Sequence, residues 1–247
     1  MTSNASHADQ IRDHLQRVAA LRARAGDATD LMTAVQAVKR LQARRFRATY
    51  ADLARHARTA PAVRFFLDEL YGEHDFSRRD EQFGRIAGAL ERLFPAAVGQ
   101  LAADLAEMHA LTERLDHALA SHWLALPDDS GGAERYVLAW RLCGARDERQ
   151  RQLTVVQHMG EELHRLTRMR SLRLGLRMMR KPAEAAGLDA LQNFLESGFD
   201  AFAALGNASS FLQTIAERET RWIGTLFDAP LSDACHRLDE ELSRASP

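Results

Sequence analysis

Two carboxylates in this chain fall inside apolar helical stripes, where an unpaired charge is costly to bury. At about 100° per residue, Ala62, Phe66 and Leu70 share one helical face. Phe65 lies to one side, and Glu69 falls between the two phenylalanines. Glu219 sits within the stripe Phe211, Ile215, Trp222 and Leu226. Each of these candidate buried acids has two readings. One is a carboxylate with a raised pKa, or a ligand facing an internal site. The other is an acid neutralised by an arginine inside a helical bundle.

The histidines suggest a metal. His109, Glu113, Asp116 and His117 follow one another at helical spacing, and His158, Glu161 and His164 do so further on. Glu161 and His164 have the Glu-x-x-His spacing of carboxylate-bridged di-iron bundles, but such a bundle needs two such pairs and two further carboxylates. Only one pair is present. Val156, Met159, Leu163 and Leu166 mark the inner face of that helix, which turns Glu161 outward. On the other helix His109 and Asp116 flank the apolar stripe, while Glu113 and His117 are expected to turn outward. His122, beside Trp123, lies closer to the core. His109, Asp116 and His122 are thus the only metal-ligand candidates, set against ordinary hydrogen-bonded core residues.

From Arg165 to Lys181 there are seven basic residues and no acid. Arg170, Arg173, Arg177 and Arg180 occupy one wedge of a helix between two apolar faces. That wedge suits a phosphate, a nucleic-acid backbone or an acidic partner. Equally, its arginines can pair internally with Glu69, Glu196 or Glu219. Exposed aromatics are not interleaved with the cations, which argues against stacking on nucleic-acid bases. A net charge of −1 argues against general attraction to polyanions or anionic lipid.

Other chemistries lack their residues. There is no Gly-x-Ser-x-Gly elbow, no Gly-x-x-x-x-Gly-Lys loop and no Gly-x-Gly-x-x-Gly turn. The two cysteines, Cys143 and Cys235, are far apart and suit a reducing cytoplasm. The opening residues lack the basic and apolar segments of a signal peptide, and no apolar run approaches the ~20 residues of a membrane span.

These candidates need helices to position them. Period-two alternation is absent and Ala, Leu, Arg, Glu and Gln dominate, so the chain reads as all-α. Helices are expected at roughly 8–25, 29–57, 61–71, 77–94, 96–125, 133–143, 146–168, 171–181, 184–205, 209–227 and 231–243, with prolines between them. Ser77 with Asp80, and Ser210 with Gln213, resemble capping boxes. The helices at 29–57 and 96–125 are expected to form a long central pair, each spanning roughly 40 Å. The whole, residues 1–247, reads as one multi-helix bundle of about ten helices, with the loop at 127–132 as the place where it could divide.

One block stands out: Phe65-Phe66-Leu67-Asp68-Glu69-Leu70-Tyr71-Gly72, running on into Asp75-Phe76-Ser77-Arg78-Arg79-Asp80. With the segments around Met108-His109-Ala110-Leu111 and Asn193-Phe194-Leu195-Glu196, it resembles the FFLEELY-motif proteins, a bacterial family named for that motif. The resemblance covers much of residues 61 to 227, with Asp68 where the motif has Glu. It carries over no catalytic residue. Phe65, Phe66 and Leu70 are expected to dock this helix on the long pair.

The sequence therefore supports a non-enzymatic cytoplasmic helical protein, without a cofactor, acting through an unidentified protein partner. Its rival is an all-α protein binding a metal, haem or small ligand at an internal site near Glu69, His109, His122 or Glu219.

Overall fold

Apolar residues recur every three to four positions along nearly the whole chain, and each such stripe needs another helix to cover it. The computed structural model describes residues 5–70, 76–127 and 131–245, apart from the side chain of Leu93. Among them it shows thirteen α-helices, one π-helical turn and no strand. In chain order the helices are α1 (His7–Gly26), α2 (Thr29–Thr49), α3 (Ala51–Arg55), α4 (Ala60–Phe65), α5 (Ser77–Leu93), α6 (Ala96–Ala125), α7 (Gly132–Cys143), α8 (Arg146–Thr167), α9 (Arg170–Met178), α10 (Arg180–Ala185), α11 (Asp189–Leu205), α12 (Ser209–Asp228) and α13 (Leu231–Arg244). The π turn is Phe66–Leu70. No helix of the described residues is long and apolar enough to cross a membrane.

Proline sets several starts. Pro61 stands in the first turn of α4, and Pro95 and Pro230 precede α6 and α13. Gly144 ends α7 in the left-handed conformation that glycine adopts without a Cβ clash.

The longest element is α6, whose 30 residues span about 45 Å. It packs against α1, α2, α5, α7 and α8. Two apolar clusters form around this axis. One gathers α1, α4, α5, α8, α11 and α12 against the amino-terminal half of α6; the other gathers α2, α7 and α13 against its carboxy-terminal half. Both α6 and α12 contribute to each cluster. Residues 128–130 of the expected dividing loop lie outside the described residues, but α6 and α7 on either side of it pack together.

The expected helix at 29–57 divides at Tyr50, where φ is −110° and ψ is 15°. Tertiary contacts explain the break. The Tyr50 hydroxyl donates to Glu219 at 2.6 Å, and the Thr49 carbonyl accepts from Arg218. The capping boxes do not form either. Helix α5 begins at Ser77 without a side-chain cap, because Ser77 and Asp80 both accept from Arg22 instead. At α12 Gln213 donates to Glu217, and it is Asn207 Oδ1, not Ser210, that accepts from the first helical N–H, of Ser209, at 3.0 Å.

The two phenylalanines of the motif block dock on α11 and α12, while Leu70 faces the long pair, beside Lys39 and Gln42 of α2 and His109 and Glu113 of α6. Phe65 packs on Phe194 of α11 with ring centroids 5.3 Å apart, and Phe66 meets Phe202 of α11 and Phe211 of α12, each at 6.1 Å. Close approach is possible because position 198 is glycine: a Cβ there would stand 2.7 Å from Phe65 Cζ. Tyr71 and Gly72 of the motif lie outside the described residues.

Phe65→Ala should lose about 3–5 kcal/mol of stability, and Gly198→Ala about 1–3 through overpacking. In the double variant the new methyl enters the space left by the ring, so urea denaturation should give a loss clearly smaller than the sum. Strict additivity would show that the two sites do not share this contact.

Candidate functional site

Polar residues interrupt the stripes of three helices at core spacing: Gln42 and Arg45 on α2, His109, Glu113 and Asp116 on α6, and Arg149 and Gln152 on α8. All are buried. They form two adjoining polar regions inside the bundle.

The first is a charged seam. His109 Nε2 lies 2.8 Å from Asp80 Oδ2 and 3.2 Å from Arg22 Nη2. Arg22 donates to Asp80 at 2.8 Å and reaches Glu113 at 3.4 Å. Lys39 Nζ closes the seam on Glu113 Oε1 at 2.7 Å. Burial alone would push both carboxyls up. At Asp80 the hydrogen bond and charge of His109, with Arg79 and Arg22, outweigh it and hold the pKa below the ordinary value. At Glu113 Lys39 has that effect, with help from Arg22 and His109. Glu113 and His117, expected to face outward, are both buried, since five helices pack against α6 and cover the faces that carry them. Burial is also the main cause that lowers the His117 pKa, against the opposing charge of Glu113.

Asp116 differs from its neighbours. It is 1% exposed, and its Oδ1 has no hydrogen-bond partner among the described residues. Burial pushes its pKa up to about 6, with Lys39 and Arg149 opposing and Glu113 adding to the rise. His122 is half-buried near the end of α6. His109 is bonded to Asp80 and Asp116 lies two turns further on, so the structure does not join the three proposed ligands. Among the described residues no cluster of three His, Cys, Asp or Glu side chains could hold a metal.

The second region surrounds a cavity of about 70 Å³ lined by residues of α2, α4, the π turn, α7, α8 and α12. Glu219 is on its wall. Arg45 Nη1 and Nη2 donate to the two Glu219 oxygens at 3.0 and 2.7 Å, a bidentate pair. Burial would lower the Arg45 pKa, but the Glu219 charge raises it well above the ordinary value. Glu219 is thus paired, though not by the wedge Arg170, Arg173, Arg177 and Arg180 to which its charge had pointed. The arginine of α2 is already inside the core, whereas the wedge lies on the surface.

Glu69 does not occupy an aromatic arc. It is half-buried, and Asp68 beside it is exposed. The 100° spacing that placed Glu69 between phenylalanines fails across the wider π turn. Leu67 lines the cavity and Leu70 is buried. Arg79 donates to the Glu69 carbonyl at 2.7 Å and stacks on Phe76. Arg22, Lys39 and Arg149 carry no mark of their role in their local spacing. Arg45 carried a signal: it continues the run Val35, Val38, Gln42 at core spacing.

On the outer surface, α9 leaves no residue fully buried. Leu172 and Leu176 turn inward and are half-buried, and Gln192 of α11 fastens the helix by donating to the Leu176 carbonyl at 2.7 Å. Leu174 and Met178 point out, at 61% and 69% exposure. Arg173 pairs with Asp200, and Arg180 pairs with Glu196. Arg170 and Arg177 are exposed and make no ion pair with any described residue.

A family model described as "Domain of unknown function (DUF8198)" matches residues 21–232. The chain belongs to that family. No curated protein and no solved structure matches it. The DUF8198 span takes in the charged seam from Arg22 onward, the whole cavity wall and α9.

Two predictions follow from the buried charges. Removing the Glu219 charge strands Arg45, so Glu219→Gln should cost about 3–5 kcal/mol. Glu161→Gln, on an exposed carboxylate, should cost at most about 1. Comparable losses in chemical denaturation would contradict the assignment. For Asp116 the folded pKa is raised from 3.8 to about 6, so the folded state binds the proton more tightly. Its contribution is most favourable below about pH 4 and is lost as pH rises through about 6. Converting that rise gives about 3 kcal/mol. The stability of Asp116→Asn relative to wild type should improve by about that amount between pH 4 and pH 7.5; a pH-independent difference would show that Asp116 is not buried as an acid.

Proposed function

We propose that the chain is a non-enzymatic cytoplasmic protein that acts through protein–protein interaction. In this reading α9 docks an acidic segment of a partner that also carries apolar residues. The observation that carries it is the exposed pairing of Leu174 and Met178 with Arg170 and Arg177 on one short, shallowly seated helix. Leucine and methionine on a surface adapt to an apolar partner surface. The arginines beside them supply the charge that an acidic segment would neutralise, and their planar forks bind carboxylates in pairs.

The cytoplasm is supported by two free, half-buried cysteines. Action as a single domain is supported by α6 and α12, which each enter both apolar clusters. The likeness to FFLEELY-motif proteins belongs to the same reading: Phe65 and Phe66 serve packing on α11, the helix to which α9 is fastened.

A displayed library of random peptides tests this directly. The full chain should enrich sequences that combine Asp or Glu with Leu or Phe. Arg170→Glu with Arg177→Glu, and separately Leu174→Asp with Met178→Asp, should each weaken a selected peptide at least tenfold without changing the circular dichroism. Enrichment of no acidic sequence would overturn the proposal. So would binding that both double variants retain, or binding confined to anionic phosphatidylglycerol vesicles.

A further inference from the structure

The cavity beside Arg45 and Glu219 is richer in hydrogen-bond donors than its own acceptors can satisfy. Arg149 is buried, yet it has no carboxylate within ion-pair distance among the described residues. Its guanidinium rests 4.1 Å from the centre of the Trp140 ring, and its hydrogen bond to Gln152 Oε1 is long, at 3.5 Å. This is a positive charge held away from water, felt by the buried Asp116 but not paired with it directly. The second guanidinium on the wall, Arg45, is already neutralised by Glu219. Two further donors on the same wall, Arg45 Nε and Trp140 Nε1, have no partner among the described residues, while Gln42 is turned to Asp116 and Tyr136. Buried polar groups without partners are uncommon, and here two line one space.

The remainder of the wall is apolar, with Phe46, Phe66, Val156, Ile215 and Ile223 on it. At about 70 Å³ the space is several times the ~10–15 Å³ that one water needs. The combination asks for an occupant with one negative charge, acceptor atoms at one end and an apolar body at the other. The geometry points to a binding site for a small organic carboxylate, its carboxylate held by Arg149 and its apolar body against Phe66, Val156 and Ile215. Mostly apolar walls with a few convergent polar groups are the usual form of a small-molecule pocket. Phosphate fits less well, because one guanidinium without a direct ion pair and a largely apolar wall match a single charge. This site is separate from the α9 surface, and neither depends on the other.

The test uses the full-length protein with benzoate and hexanoate as probes and benzamide as the uncharged control. Titration calorimetry should give saturable binding of at least one acid at one per chain, with a matching rise in Tm. Benzamide should bind at least tenfold more weakly than benzoate if benzoate is the better acid. Arg149→Met should weaken the acid at least tenfold. Trp140→Phe, which keeps a ring but removes the N–H, should weaken it less. Ile215→Trp, which fills the space, should abolish binding while circular dichroism is unchanged. Should Arg149→Met fail to fold, the other two variants and the benzamide comparison decide. No saturable binding of either acid would overturn the proposal and leave water as the occupant. Equal affinity for benzoate and benzamide would overturn it too, as would undiminished binding by the Ile215→Trp protein.

Discussion

The enclosure of α6 is the constraint on which the rest of this structure depends. Packed against five other helices, α6 keeps over its middle turns only a narrow stripe through Glu107, Leu111, Arg114 and Ala118 half-open to water. Its His109, Glu113 and Asp116 must therefore be neutralised from within. Three other helices supply what is needed: Arg22 from α1, Lys39 from α2 and Asp80 from α5. These contacts join residues far apart in sequence, so the seam can form only once the bundle has assembled. A side chain such as Asp80, suited to a helix cap, is taken for the seam instead.

The same constraint shapes the cavity region. Helix α2 carries Gln42 and Arg45 on the face that meets α6 and α12, and Glu219 of α12 answers Arg45 with both oxygens. Asp116 and Arg149 have no such answer in the described residues, so one carboxyl and one guanidinium stay inside without a direct ion pair. Asp116 responds by holding its proton more tightly. Arg149 cannot, because a guanidinium does not give up its proton. That difference separates a stability feature at Asp116 from a ligand site at Arg149.

On the outside the balance is reversed. Helix α9 is short and shallowly seated, and it reaches the bundle through Leu172, Leu176 and the Gln192 hydrogen bond. Of its three arginines, Arg173 pairs with Asp200 of α11, whereas Arg170 and Arg177 make no ion pair with a described residue. The motif turn works in the opposite sense: Phe65 closes on Gly198 so tightly that no side chain fits between them. One face of α11 is thus set by dense packing and the other carries an open surface.

The sequence by itself determined the helical class, because 3.6-residue periodicity and proline placement are local properties that survive folding. Most helix positions followed from it to within a few residues. The exceptions mark the limits of local reasoning. Tyr50 breaks a helix because its hydroxyl and the Thr49 carbonyl find partners on α12. The π turn moves Glu69 out of the arc that an ideal helix would give it. Glu219 was legible as an acid in a core stripe, but its partner was not, since periodicity gives the face of a residue and not the helix opposite. The outward placement of Glu113 and His117 failed for a related reason: a weakly patterned helix such as α6 is equally compatible with one covered face or with cover on most sides. Only tertiary structure decided which charges meet, because burial and pairing depend on the whole set of neighbours rather than on the chain near each residue.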